Sequence, residues 1–382
     1  MTGTLRLLVG TYPPAGAEAP PGQGEGLWAL DLDVRTGGLA GRKVATTPAP
    51  SFLAVRGGAV LAVGETSPGR VTRLTPDADG ALVERETVSS GGSGPCHVLW
   101  PSDPAAGHPA GHPGGHPGGA PAGAPAGVRA GSVAYVANYG SGSVAVVPVT
   151  DDGAFTGGVA QVFEHSGRGP DGDRQEGPHV HSTVLAPGGA HLLAADLGTD
   201  EIRRYRVQPD GLLAEDGLAA VLPPGTGPRH MALGPGGHVY VVGELDGTVH
   251  VLRWTGEHLE PGQVLPACAA PVRTGDRSLP GHIVVTGGES SGGSVSVLVS
   301  VRGADVLARF EVHDDGARLE HVADVALGGA WPRHFAVVGD LAVVALQESG
   351  RVVSVRWQGG PGGAVVDGLD VPSPACVVAV PE

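Results

Sequence analysis

Seven short apolar strands along this chain open with a proline, and they recur at nearly regular intervals. They begin at Pro50, Pro95, Pro178, Pro228, Pro280, Pro332 and Pro374, with spacings of 45, 83, 50, 52, 52 and 42 residues. A period of about 50 residues built from short strands is typical of a β-propeller, in which each repeat forms one four-stranded blade. We therefore predict an all-β, seven-bladed propeller whose inner strands line one central channel.

The two ends of the chain predict how the ring closes. The run from Leu5 to Tyr12 has the pattern of a second strand with no inner strand before it. The segment that begins at Pro374 is an inner strand with no further strand after it. We expect the C-terminal strand to complete the first blade, which leaves short, protected edges and makes residues 1–382 a single domain.

The long second interval contains a segment rich in glycine, proline and histidine at about residues 102–130. It has no apolar run, so we predict a flexible insertion between the first and second strands of the third blade. Its histidines, His108, His112 and His116, are weak candidate ligands for a transition metal. A second long polar loop, residues 164–178, carries Arg174 and is expected to lie over one mouth of the channel.

Composition excludes several classes of function. The net charge of −15 argues against nucleic acid and anionic membranes as partners. No apolar run approaches the roughly 18 residues of a membrane span, and the N-terminal run is too short for a signal peptide. With three cysteines and no CxxC spacing, we expect free buried thiols and a cytoplasmic protein. Nothing in the sequence requires a metal or an organic cofactor, and the oligomeric state is left open.

Basic side chains follow several of the opening prolines, where an ordinary core strand would carry apolar ones. They are His97, His179, His181, Arg229, His230, His282, Arg333 and His334. Such residues can simply hydrogen-bond neighbouring blades and line a wet channel. As a group, however, clustered cations at a channel mouth are costly unless they meet an anion or a carboxylate.

Polar residues also follow the second strands of the blades, at turns expected to face the same mouth. They are Glu65, Asn138, Asp196, Glu244, Arg302 and Gln347. Histidine, glutamate and paired arginines suit acid–base chemistry on an anionic substrate. The sequence has no Walker-type loop, HExxH or CxxC pair, and it lacks the WD dipeptide of protein-binding propellers.

At these positions the chain resembles the lactonase family of seven-bladed propellers. That family includes bacterial cycloisomerase-type 6-phosphogluconolactonases and the fungal carboxy-cis,cis-muconate lactonizing enzyme. The resemblance runs in order along almost the whole chain, through segments such as Gly10-Thr-Tyr, Gly94-Pro-Cys-His-Val, Arg174-Gln-Glu-Gly-Pro-His-Val-His-Ser, Gly227-Pro-Arg-His-Met-Ala, Gly243-Glu-Leu, Val301-Arg-Gly-Ala-Asp and Pro332-Arg-His-Phe.

The resemblance implies a set of site residues. The family's proposed histidine, glutamate and two arginines fall on His181, Glu244, Arg229 and Arg302, and we expect these four to be catalytic. Either His181 or Glu244 could activate water. The other candidates are expected to bind substrate: His179, His230, Arg174, Arg333, His97, Asn138 and Gln347.

It also implies an activity on a small anionic lactone. The expected reaction is hydrolysis of 6-phosphoglucono-1,5-lactone to 6-phosphogluconate, in the pentose phosphate pathway, without a cofactor. The scaffold does not fix the substrate. The alternatives are another lactonase, a muconate-type cycloisomerase, and a non-catalytic propeller that binds a protein or small ligand.

Overall fold

The computed structural model describes residues 3–12, 26–101, 133–273, 277–287, 294–358 and 363–381. These residues form seven four-stranded antiparallel sheets, each of which is one blade of a propeller. The prediction of seven blades is confirmed. No helix in these ranges is long and apolar enough to cross a membrane.

Blade 1 begins with β1 (Thr4–Thr11), β2 (Leu27–Asp33) and β3 (Leu39–Ala45). Blade 2 contains β4 (Pro50–Arg56), β5 (Ala59–Gly64), β6 (Arg70–Pro76) and β7 (Leu82–Ser89). Blade 3 contains β8 (Pro95–Leu99), β9 (Val133–Asn138), β10 (Ser143–Pro148) and β11 (Gln161–Glu164). Blade 4 contains β12 (Val180–Leu185), β13 (His191–Asp196), β14 (Glu201–Val207) and β15 (Leu213–Val221).

Blade 5 contains β16 (Pro228–Leu233), β17 (His238–Gly243), β18 (Thr248–Trp254) and β19 (Leu259–Pro266). Blade 6 contains β20 (Leu279–Gly287), β21 (Val295–Arg302), β22 (Val306–His313) and β23 (Arg318–Ala326). Blade 7 contains β24 (Pro332–Val338), β25 (Leu341–Leu346), β26 (Arg351–Arg356) and β27 (Ala364–Asp370), and β28 (Pro374–Ala379) follows it.

The C-terminal strand closes the ring, as predicted. β28 pairs antiparallel with β1, with Leu7 opposite Ala379 and Val9 opposite Val377, so it is the inner strand of blade 1. The inner strands contact one another in the order β4, β8, β12, β16, β20, β24, β28 and back to β4. They therefore enclose a central channel.

The apolar core is divided into clusters that lie between neighbouring blades. One cluster joins Leu7 and Val9 of blade 1 to Val343 and Val352 of blade 7. The middle strands are packed on both faces, so a strand such as β9, Val-Ala-Tyr-Val-Ala-Asn, is buried at every position. The outermost strands cover one face only and alternate between exposed and covered side chains.

Every blade has a β-bulge at the start of its inner strand. In blade 2, Pro50 pairs with Gly64 and Phe52 with Val63, so Ser51 has no partner residue. The same register shift follows the first paired residue of five other inner strands and the second paired residue, Pro280, of β20. A bulge re-aims the unpaired side chain, and here the unpaired residues face the channel mouth.

The Gly/Pro/His-rich segment predicted at about residues 102–130 lies outside the described residues. Its flanks, β8 and β9, are the first and second strands of blade 3, as predicted. The predicted free thiols are found at Cys96, Cys268 and Cys376, of which Cys268 is half-buried rather than buried.

Candidate functional site

The bulges of the inner strands and the ends of the second strands meet in one small pocket at the channel mouth. The bulges contribute Ser51, Cys96, His181, Arg229, Arg333 and Ala375, and the second strands contribute Tyr12 and Glu65. The sequence predicted that inner strands start near prolines, but it did not predict the bulges that follow them. Because of the bulge in blade 2, for example, Ser51, directly before the resumed pairing, has no partner on the second strand. Its side chain faces the pocket.

Glu244 is the centre of an ion cluster beside this pocket. Its Oε1 accepts a hydrogen bond from Arg174 Nη2 at 2.6 Å. Its Oε2 lies 2.8 Å from Arg302 Nη2 and 2.8 Å from Arg229 Nε, although the angle at this Nε is unsuited to a hydrogen bond. Glu244 is only 2% exposed. Three of the four predicted catalytic residues are therefore in direct contact.

The arginines of this cluster are also held by backbone carbonyls. Arg302 donates from Nε to Leu279 O at 3.0 Å and from Nη2 to Pro280 O at 3.2 Å. Arg229 donates from Nη1 to Gly281 O. Because these contacts come from blade 6, they fix both guanidinium groups relative to the rigid inner strands.

The charges of the cluster do not balance. Three guanidinium groups and one carboxylate leave two positive charges in excess among the described partners of Glu244. Although burial acts to raise it, the neighbouring arginines, Arg302 first, hold the pKa of Glu244 well below its usual range. Burial and the guanidinium of Arg302 lower the pKa of Arg229 to about 9, which still leaves it protonated at neutral pH. An added anion would relieve this excess.

His181, the fourth predicted catalytic residue, faces the same pocket from the bulge of β12. Its Nδ1 lies 3.8 Å from Cys96 Sγ, and the Tyr139 ring packs edge-on to it with centroids 5.6 Å apart. Burial, together with the nearby guanidinium of Arg229, holds the pKa of His181 well below its usual value. The imidazole is therefore neutral at pH 7.

Glu65 and Arg333 form a second charged group in the pocket. The Arg333 guanidinium lies over the Tyr12 ring, 4.6 Å from its centroid. Both Arg333 and Tyr12 influence the charge of Glu65, whose pKa is raised by burial against the opposing effect of Arg333. Arg333, predicted to bind substrate, thus faces the pocket. Tyr12 also faces it but was not predicted as a site residue, although it lies in the Gly10-Thr-Tyr segment of the resemblance.

A layer of histidine and phenylalanine rings lies beneath the pocket. His230 Nδ1 is 2.8 Å from His282 Nδ1, and the His282 ring stacks on His334 with centroids 3.8 Å apart. Phe52 packs against His97 with centroids 4.5 Å apart. Of the predicted substrate-binding residues, His97 and His230 therefore lie in this layer, and only His230 also lines the small pocket.

Below that layer the channel widens into an apolar cavity of about 110 Å³. Its wall includes Trp100, Val184, Met231, Ile283 and Phe335, and all seven inner strands contribute to it. The channel therefore has a charged upper end and an apolar lower part, separated by the aromatic layer.

The long loop before β12 reaches the mouth, in agreement with the expectation from its polar sequence. It carries Arg174, whose side chain is 36% exposed, to Glu244. Gln175 anchors the loop by donating from Nε2 to Leu197 O and to Asp200 Oδ1, both at 2.8 Å. His179 stacks on Tyr139 with centroids 4.3 Å apart, and its Nε2 lies 3.1 Å from Glu176 Oε1. His179 therefore supports the wall that Tyr139 and Arg174 form.

The strand register corrects the predicted ring of polar residues at two positions. On each second strand, the equivalent residue is the one after the partner of the last inner-strand residue before the bulge. These residues are Glu65, Glu244, Arg302 and Gln347, together with Tyr12, Tyr139 and Leu197. Asn138 and Asp196 stand one residue earlier, which turns a strand side chain to the opposite face.

The contacts of these two residues agree with that correction. Asn138 donates from Nδ2 to Ser90 O at 3.1 Å, and Asp196 accepts from the backbone N–H of His179 at 2.8 Å. Both therefore bind neighbouring loops, and we no longer place Asn138 among the substrate-binding residues. Gln347 has the equivalent position and is buried, and its Oε1 has no hydrogen-bond partner among the described residues.

Within the described ranges, no group of three or more histidine, cysteine, aspartate or glutamate residues is arranged to hold a metal ion. The candidate ligands His108, His112 and His116 lie outside those ranges.

Comparison with known proteins gives one consistent family. The sequence profile described as Lactonase, 7-bladed beta-propeller, matches residues 6–104 and 116–379. A 6-phosphogluconolactonase of Bacillus subtilis is 34% identical over 246 residues, which are 63% of this chain and 68% of that protein. An uncharacterized protein of Lactococcus lactis subsp. cremoris is 30% identical over 259 residues, 65% of this chain and 71% of that one.

Solved structures agree with the sequence matches. The periplasmic gluconolactonase of Pseudomonas aeruginosa is 26% identical, with a TM-score of 0.78 over 99% of each chain. A Lactobacillus plantarum protein, 24% identical, has a TM-score of 0.79 over 99% of this chain and 100% of its own, which shows the shared fold.

Proposed function

This chain belongs to the lactonase family of seven-bladed β-propellers, and from that membership we propose that it hydrolyses 6-phosphoglucono-1,5-lactone to 6-phosphogluconate. The observation that carries the proposal is the uncompensated positive charge around Glu244, beside a neutral histidine. Such a mouth suits a phosphorylated lactone, which brings an anionic group and an electrophilic carbonyl together. The Bacillus subtilis relative, named a 6-phosphogluconolactonase, supports the same substrate. The reaction places the protein in the pentose phosphate pathway, and we expect it to act in the cytoplasm.

We assign the general base to His181 rather than to Glu244. Both oxygens of Glu244 are occupied by guanidinium groups, and its lowered pKa makes it a weak base. His181 is neutral and makes no ion pair among the described residues, so its imidazole can accept a proton from water. A bound phosphate nearby would raise the pKa of His181 towards neutrality and strengthen it as a base.

The arginines supply binding and electrostatic stabilisation in this mechanism. Arg229 and Arg302 are rigidly held and would stabilise the negative charge that develops on the carbonyl oxygen. Arg174 is half-exposed on its loop, so it is the arginine best placed to exchange Glu244 for the incoming phosphate. Glu244 orients the three groups before the substrate arrives.

The first test is hydrolysis of freshly generated 6-phosphogluconolactone above its spontaneous rate, with and without a chelator. Acceleration that a chelator does not abolish, and that falls about 100-fold or more in Arg229→Ala, is the expected result. The unphosphorylated lactone serves as the comparison, because the Pseudomonas aeruginosa neighbour is named a gluconolactonase. Equal rates on both lactones would contradict the phosphate assignment, and no acceleration on either would contradict the function.

A further inference from the structure

Glu65 is a second carboxyl group in the pocket, and its setting differs from that of Glu244. It follows β5 at the position equivalent to Glu244 in blade 5. The residue is 8% exposed, and its Oε2 is buried without a hydrogen-bond partner among the described residues. The Ser51 hydroxyl lines the same pocket, and it and the Tyr12 hydroxyl interact with the Glu65 carboxyl group and act to lower its pKa against the effect of burial. An unpaired carboxyl oxygen in a pocket is unfavourable unless a ligand or water completes it.

The groups around Glu65 come from several blades. Arg333 of blade 7 and Arg229 of blade 5 bring positive charge, and Tyr12 and Cys96 bring uncharged polar groups. Burial outweighs the arginines and raises the pKa of Glu65 above its usual value. The Glu65 carboxyl group in the pocket is thus biased towards the acid form, whereas Glu244 beside the pocket is held as a carboxylate. Two carboxyl groups separated in this way are suited to different roles in one reaction.

We propose that Glu65 is the general acid of the site and donates its proton to the ring oxygen of the bound lactone. The inference rests on the proposed hydrolysis and adds a catalytic residue to it. In the attack step, His181 takes a proton from water while the water oxygen bonds to the lactone carbonyl carbon. As that carbon's bond to the ring oxygen breaks, Glu65 transfers its proton to the departing oxygen, which becomes a hydroxyl group.

The cycle closes without any further reactant. The product acid loses one proton, the His181 imidazolium loses another, and Glu65 regains one, so one proton is released for each lactone opened. A donor for the ring oxygen is needed because an aliphatic alkoxide is a poor leaving group. The His181 imidazolium formed in the attack step could also return its proton to the ring oxygen, and the Glu65→Gln variant distinguishes these two donors.

The test compares wild type with Glu65→Gln, using Glu257→Gln at an exposed turn as the matched control. Glutamine keeps the shape and the neutral charge of a protonated glutamate but cannot transfer a proton. We expect kcat to fall about 100- to 10,000-fold with KM nearly unchanged. The urea midpoint should stay at the wild-type value, and the alkaline limb of the wild-type pH–kcat profile that lies below the Arg229 pKa of about 9 should disappear.

Three outcomes would overturn the inference, and they separate it from the proposed function. If wild type hydrolyses the lactone and Glu65→Gln keeps its kcat, the acid role alone is wrong. If Glu65→Gln retains the alkaline limb and its urea midpoint falls sharply, Glu65 is instead an ionised partner of Arg333. If wild type itself does not accelerate hydrolysis, the function and this inference are both wrong.

Discussion

Replacing Glu244 with glutamine should destabilise the protein while strengthening its affinity for anions. The carboxylate is 2% exposed and lies within 2.6–2.8 Å of three guanidinium nitrogens. Each such contact is worth roughly 6 kcal/mol of Coulomb attraction at an effective dielectric constant of about 20. Most of this is offset by the cost of dehydrating the charges, and removing one partner of a buried pair typically costs about 3–5 kcal/mol.

Urea unfolding of Glu244→Gln and wild type measures this difference. With an m-value of about 3 kcal/mol/M, the midpoint should fall by about 1–1.7 M. Inorganic phosphate should restore part of the loss, because it can replace the missing carboxylate between the arginines. At a concentration 100 times its Kd, the restoration would be about 2.7 kcal/mol. Glu257→Gln, which removes a charge at an exposed turn, should shift stability by less than about 0.5 kcal/mol.

The stability difference between wild type and Glu244→Gln should decrease at low pH. The pKa of Glu244 is lowered on folding, so its stabilising contribution is complete above its ordinary value of 4.5. The contribution is lost as the pH falls through the lowered folded-state pKa, and the two proteins should then converge. A midpoint within about 0.3 M of wild type at pH 7, with no response to phosphate, would refute the picture of Glu244 as the counter-ion of three arginines.

Three further changes test other parts of the site. His181→Gln should reduce kcat about 100- to 10,000-fold. Because burial lowers the pKa of His181, wild-type kcat/KM should stay level as the pH falls from 7 through 6.5, and a decline centred near 6.5 in a pH–rate profile would contradict the neutral base. Arg174→Ala should raise KM for the phosphorylated lactone more than it lowers kcat, whereas Arg168→Ala, an exposed arginine on the same loop, should change neither. Deleting residues 104–128 should leave folding and turnover intact by circular dichroism and lactone assay, and loss of turnover would favour a role for that segment in the site.

The blade pattern was predictable because it depends on local sequence. Six of the seven predicted prolines lie at the start of an inner strand or one residue after it, and β12 begins at Val180, two residues after Pro178. The incomplete ends at Leu5 and Pro374 are confirmed as parts of one blade. Residue type and position also indicated the four central residues, since charged side chains at inner-strand starts are unusual.

The register at the channel mouth could not be predicted in the same way. The ring of polar residues was aligned by chemical similarity, which grouped Asn138 with Glu244, whereas hydrogen-bond pairing places Tyr139 at that position. A shift of one residue reverses the face of a strand, and composition does not record it. The bulges were not predicted either, and the structure was needed to show that Ser51 and Tyr12 face the pocket.

Closure of blade 1 by β28 also constrains the order of events during synthesis. The inner neighbour of β1, β28, is made about 370 residues after β1. At roughly 5–20 residues per second, the inner edge of β1 stays without its partner for about 20–75 s in every newly made molecule. That edge can pair with another nascent chain during the wait. A circular permutant that starts at Pro374 and joins residue 382 to residue 1 would make β28 and β1 consecutive, so the same ring could assemble blade by blade in the order of translation.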